Sequence, residues 1–176
     1  MTEGGAPAAR PEHPQSDGEV RLAVYRGFLE DGRAPSVREL AAELKASPAE
    51  IDAALRRLAE RHVLVLEKNS AAPRIRMAMP FSAVKTDFRV EIPFGGWWAN
   101  CAWDALGIPA LLKGAGRLPK GAPTRITTHC PDCGDRLELR LQDDGRPQLA
   151  TDEPAPPPVV HFALPAARWW DDILYT

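Results

Sequence analysis

Cysteine is scarce in this 176-residue chain, with one residue at 101 and a pair at 130 and 133. So small and odd a count excludes a disulfide scaffold and makes a reducing cytoplasm the expected setting. Long hydrophobic runs are missing as well. No stretch nears the ~20 apolar residues that span a bilayer, so no membrane partner is expected. The opening MTEGGAPAARPEHPQSDGE contains no apolar signal core. Charge of one sign is lacking: the formal net charge is -2 and the pI about 6.1, which gives no general pull toward nucleic acid. No internal repeat is present. Proline is the exception to this scarcity, with 18 residues. They gather in the first residues and in the run DEPAPPP, and so mark linkers rather than a fibrous fold. The rest has a globular composition, long enough for one domain with a real core or for two small ones.

Read in order, residues 1–18 form an expected disordered tail. The segment EVRLAVYRGFLE, residues 19–30, places Val20, Ala23, Val24, Gly27 and Phe28 on one helical face, and Asp31-Gly32 ends it. Ser36 with Glu39 and Ser47 with Glu50 are two capping-box signals, the second with Pro48 at the first helical position. They start a second helix over about 37–45 and a third over 48–61. Two short strands follow, VLVLE and RIRMAM, around the turn KNSAAP. This order is that of a winged helix-turn-helix over residues 19–80. Such modules often place the second helix of the motif in the DNA major groove. Here that helix would present Glu50, Asp52, Arg56, Arg57 and Glu60, a mixed surface, with Arg74 and Arg76 on the wing. DNA is therefore not the expected partner, because phosphate contact needs several uncompensated positive charges. Beyond residue 80, FRVEIPF, TRITTHC, DRLELRL and VVHFAL read as strands and PAARWWDDILYT as a closing helix started by Pro165. RPQLATDEPAPPP reads as a bare proline-rich connection. The whole is α+β, with a small mixed or antiparallel sheet and helices in residues 81–176.

The stretch PFGGWWANCAWDALGIPALLKG, residues 93–114, holds the strongest chemical signal. Residues 100–106 read as the first turns of a buried helix, broken near Gly107 and Pro109. Cys101 and Asp104 lie three apart and so share one face. Near a helix N-terminus the backbone dipoles would favour the Cys101 thiolate. A charged Asp104 would oppose it, yet could carry a proton to or from a sulfur-bound group. Trp97, Trp98 and Trp103 could wall an apolar pocket around the pair. They could equally be core packing, and Cys101 could be a small buried apolar residue. A carboxylate in so apolar a segment needs a partner or a task.

The CPDCG turn, with Cys130 and Cys133, supplies half of a zinc knuckle. A tetrahedral site needs four ligands, and no second Cys-x-x-Cys exists. Cys101, His129, His161 and Asp104 are the available completions. A dithiol redox pair or a purely structural turn are the other readings. His161, inside an apolar strand, is expected to line the pocket or to be a hydrogen-bonded core histidine.

Taken together, the helical first half, IPFGGWWANCAWDALGIPALL, THCPDCGDRLEL and VVHFALP resemble the alkylmercury (organomercurial) lyase family over roughly residues 19–174. The resemblance implies a helical domain packed on a catalytic domain built around a sheet. It implies an organomercurial substrate, no organic cofactor, Hg(II) as product and small-molecule thiols as its acceptors. Cys101 matches the family's first catalytic cysteine and Asp104 its catalytic aspartate; Cys130 matches a structural cysteine. The family's second catalytic cysteine precedes the strand VVHF, where this chain has Pro157 and Pro158. Cys133 has no family counterpart and would restore a dithiol only by folding over Cys101. Two further classes stay open: a winged-helix regulator sensing a metal or thiol-reactive ligand, and a non-catalytic zinc or heavy-metal binder.

Overall fold

Three serine capping boxes set the first three helices. In a computed structural model that describes residues 16–130, 133–142, 144–151, 159–162 and 164–174, α1 spans Asp17–Asp31, α2 Val37–Leu44 and α3 Pro48–Glu60. Ser16, Ser36 and Ser47 each accept from the backbone N–H three residues on, while Glu19, Glu39 and Glu50 bond back to the cap. Residues 16–18, expected in the tail, are thus the cap and first turn of α1; most of that tail lies outside the described residues. Gly32 ends α1 in the left-handed conformation at φ 68°, where a glycine carries no Cβ penalty.

The sheet has eight strands: β1 Val65–Leu66, β2 Ile75–Ala78, β3 Phe81–Ser82, β4 Phe88–Ile92, β5 Gly95–Ala99, β6 Arg125–His129, β7 Arg136–Leu141 and β8 Pro147–Leu149. Their spatial order is β1-β2-β3-β5-β4-β6-β7-β8, with every neighbouring pair antiparallel. The architecture is α+β. The β1–β2 hairpin continues into the rest of the sheet through β3, with Ala78 opposite Phe81 and Phe81 opposite Ala99.

Several expectations need correction. α4 runs unbroken over Ala102–Gly114, through Gly107 and Pro109. Pro109 cannot donate to the carbonyl of Ala105, but Ala105, Ile108 and Leu112 are fully buried on the sheet, and that burial offsets the missing bond. The segment after Arg146 is not a bare connection: Pro147 opens β8, an edge strand where proline is tolerated. The linker at 152–158, including Pro157 and Pro158, lies outside the described residues. The described residues 159–162 form no strand, and Val159 is 88% exposed. Within this segment Phe162 packs against Trp103 and Trp169 instead of entering the sheet. The closing helix is a short 3-10 helix, Ala166–Asp171.

One core joins the helices to the sheet. Phe28 of α1 stacks on Phe81 at 5.0 Å, Trp97 packs beside them, and the Trp97 indole donates to the Phe28 carbonyl at 2.6 Å. The Tyr25 hydroxyl donates to the Met79 carbonyl at 2.8 Å. His62, just past α3, stacks on Trp170 at 4.1 Å and ties the end of the chain to the helices. On the outside, Arg56 pairs with Asp52, Arg57 and Arg61 with Asp17, and Arg74 with Glu67. Most of the arginines considered for phosphate contact are therefore compensated within the chain. Phe81→Ala should lower unfolding stability by about 3–5 kcal/mol, as expected for a buried phenylalanine in a well-packed core. A denaturant midpoint that hardly moves would show that the helices and sheet do not share this core.

Candidate active site

The site begins where β5 turns into α4. Cys101 is the N-cap of α4, with extended backbone at φ -150°. A cap accepts one of the unpaired amide protons of the first turn, and here the acceptor is sulfur: the Asp104 N–H donates to Sγ at 3.5 Å. Asn100 fixes the carboxyl from the other side. Its Nδ2 donates to Asp104 Oδ2 at 2.9 Å and reaches the Phe81 carbonyl at 3.4 Å. Asn100 Oδ1 is buried, with no hydrogen-bond partner among the described residues.

Cys101 and Asp104 line one small hollow of about 60 Å³ with Met77, Met79, Asn100, Ile173 and Leu174, closed by Phe162 and Trp169. Cys101, Asn100, Phe162, Trp169 and Leu174 also border a larger cavity of about 790 Å³, with Lys85, Trp103 and His161 on its far walls. The thiol thus sits between a small apolar chamber and a wider cavity. Trp103, Phe162 and Trp169 form a chain of ring contacts, with centroids 6.1 and 5.3 Å apart.

Burial pushes the Cys101 thiol up, and the Asp104 charge adds to it; the amides of Asp104 and Trp103 oppose the rise. Burial also pushes the Asp104 carboxyl up, against the hydrogen bond from Asn100 and the nearby Cys101 thiol. The helix N-terminus therefore does not leave Cys101 as a low-pKa thiolate, because desolvation outweighs it. Both groups are therefore held toward their neutral forms, side by side at the start of α4.

The remaining residues singled out in the sequence fall into three groups. Trp103 and His161 border the larger cavity, Trp103 half-exposed and His161 exposed rather than in a core strand. Trp97 faces the helices and lines a separate cavity of about 410 Å³ with Leu29 and Arg117. Trp98 lies under the Arg89 guanidinium at 4.8 Å, with Lys85 nearby, and borders neither Cys101 cavity. His129, Cys130 and Cys133 belong to the β6–β7 turn. That turn is closed by Cys130 N–H to the Asp135 carbonyl at 2.7 Å and Gly134 N–H to the Cys130 carbonyl at 2.9 Å. None of these three lines the Cys101 cavities, and Cys133 is exposed. Strand β4 stands between β5, which leads to Cys101, and β6. Among the described residues, no group of three or more His, Cys, Asp and Glu is placed to hold a metal ion. Among its described residues the turn thus lacks the four ligands of a zinc knuckle, and Cys133 is not among the residues that line the Cys101 cavities.

A family model for alkylmercury lyase (MerB) matches residues 81–176, more than half of the chain. This chain belongs to the alkylmercury lyase family. The matched part begins at Phe81, so it holds Cys101, Asp104 and Asn100, while Met77 and Met79 precede it. A solved structure described as the mercury-bound form of MerB2 is similar in fold, with a TM-score of 0.51 and 18% identity over 80% of this chain. The similarity spans 60% of that protein's length. No curated protein matches the chain. Against this alkylmercury lyase background, the residues that sequence reasoning missed are Asn100, Met77, Met79, Phe162 and Trp169. Only Asn100 left a local trace, four residues before Asp104 and so on the same face.

The raised Asp104 has a thermodynamic consequence. The folded state holds this proton more tightly than the unfolded chain, so burial of Asp104 erodes stability as pH rises from its ordinary 3.8 through the folded value. Asp104→Asn, neutral at all pH, should therefore raise Tm at pH 7, and the gain should fade toward pH 3. A gain independent of pH would contradict the shift.

Proposed function

We propose that this protein is an organomercurial lyase-like enzyme in which Cys101 captures R–Hg⁺ and Asp104 protonates the carbon that leaves. Mercury is a soft cation with a preference for thiolate. On capture, the S–H bond of Cys101 breaks, sulfur bonds to mercury, and the proton passes to Asp104. The C–Hg bond then breaks. Its electron pair takes the Asp104 proton, R–H departs, and Hg(II) stays on the Cys101 sulfur with the Asp104 carboxylate beside it to balance the charge. Small-molecule thiols reaching through the larger cavity would remove the metal by exchange.

The single observation that supports this reading best is the common chamber of Cys101 and Asp104, with the Asp104 amide capped onto the Cys101 sulfur. Largely apolar walls strengthen charge interactions between the thiol and the carboxyl. The chamber's small volume favours a compact carbon group. Family membership agrees with the chemistry. In the same reading, the three helices with β1 and β2 act as a winged-helix-like support, which steadies the chamber through Tyr25 and Met79.

Methane release from methylmercury, measured with excess small thiol, tests the proposal. Cys101→Ser should lose both capture and release. Asp104→Asn should keep capture and lose release by about 10²–10⁴-fold, the usual worth of a positioned acid. Unchanged release in Cys101→Ser would reject the mechanism.

A further inference from the structure

The chain has three methionines, the initiator and the pair Met77 and Met79. Both internal methionines line the small chamber that holds Cys101 and Asp104. The rest of the buried core is built from Phe, Leu, Ile, Val, Ala and Trp. Among the described residues, methionine is thus placed only where the thiol is. Met77 lies in β2 and Met79 in the turn that follows it, and both reach the chamber lining. Both backbones are anchored: Met77 pairs with Val65 and Ser82 in the sheet, and the Met79 carbonyl accepts the Tyr25 hydroxyl. Among the residues bordering the two Cys101 cavities, these are the only sulfurs besides Cys101.

We propose that Met77 and Met79 are metal donors whose thioethers complete, with Cys101, a soft-cation site inside the chamber. This rests on the reading that Cys101 captures the organomercurial. Thioether sulfur is polarisable and joins thiolate among the ligands that select soft metals. It is neutral, so it adds no charge to a buried site, and it needs no deprotonation. Donation from a thioether onto mercury leaves the bond count of the transfer unchanged: S–H and C–Hg break, S–Hg and C–H form. It raises electron density on the metal-bound carbon before protonation. It then holds the product, in which mercury would otherwise carry one thiolate and one carboxylate. The ligand class is R–Hg⁺ and Hg²⁺, with Ag⁺ and Cu⁺ as further cations of the same softness.

The test uses full-length protein, selenomethionine-labelled, and methylmercury chloride followed by X-ray absorption at the mercury edge. The proposal expects a Hg–Se contact in the captured or product complex. It also expects Met77→Leu/Met79→Leu, nearly volume-conserving, to give up Hg(II) to glutathione at about tenfold lower thiol concentration, a loss typical of a weakened metal site. The labelled wild type keeps the test decisive even if the double variant folds poorly. Mercury held by Cys101 with no selenium, or with a solution thiol as its second sulfur, would overturn this inference and leave the proposed function standing. Failure of Cys101 to capture methylmercury at all would remove both.

Discussion

The site depends on a thiol and a carboxyl held one helical turn apart and largely buried. Neither group is comfortable there. Burial raises both pKa values, and the Asp104 charge raises Cys101 further. Two contacts make the arrangement tolerable. The Asp104 amide caps onto the Cys101 sulfur, and Asn100 binds the carboxyl. A helix N-terminus contributes its dipole to the same end, and it is outweighed. The result is a thiol and a carboxyl that burial holds toward their neutral forms side by side, the pairing on which the proposed function rests.

The rest of the fold builds the walls. α1 contributes no group to the chamber lining, yet its Phe28 and Tyr25 fix β3 and the end of β2, and so place Met77, Met79 and the carbonyl that Asn100 reaches. α4 buries Ala105, Ile108 and Leu112 on the sheet, which sets the angle at which Cys101 and Asp104 leave β5. The last residues return across the molecule. Trp170 stacks on His62, while Trp169 and Phe162 close the chamber over the sulfur. A chamber assembled from α4, β2 and the C-terminal segment needs the whole chain, although the alkylmercury lyase match covers only residues 81–176.

What could be read from the sequence was what is local. Ser36 with Glu39 and Ser47 with Glu50 announce helix starts because a capping box is closed within four residues. Cys101 and Asp104 announce a shared face for the same reason. Pro109 misled because its local cost is visible, whereas the burial that offsets it is set by β4 and β5. VVHFAL misled because Phe162 packs against Trp103 and Trp169 and Val159 stays exposed, neither in a ladder. The three tryptophans near Cys101 looked alike in sequence, but strand alternation sends Trp97 to the core and Trp98 to the opposite face. Met77 and Met79, 24 and 22 residues before Cys101, carried no signal at all, since only the β2–β3–β5 order brings them to it.

The central claim is that the Cys101 proton passes to Asp104, and infrared difference spectroscopy reads it directly. Binding methylmercury should erase the Cys101 S–H band and raise a protonated-carboxyl band that is missing in Asp104→Asn. Loss of the S–H band with the proton released to solvent, and no new carboxyl band, would contradict the account.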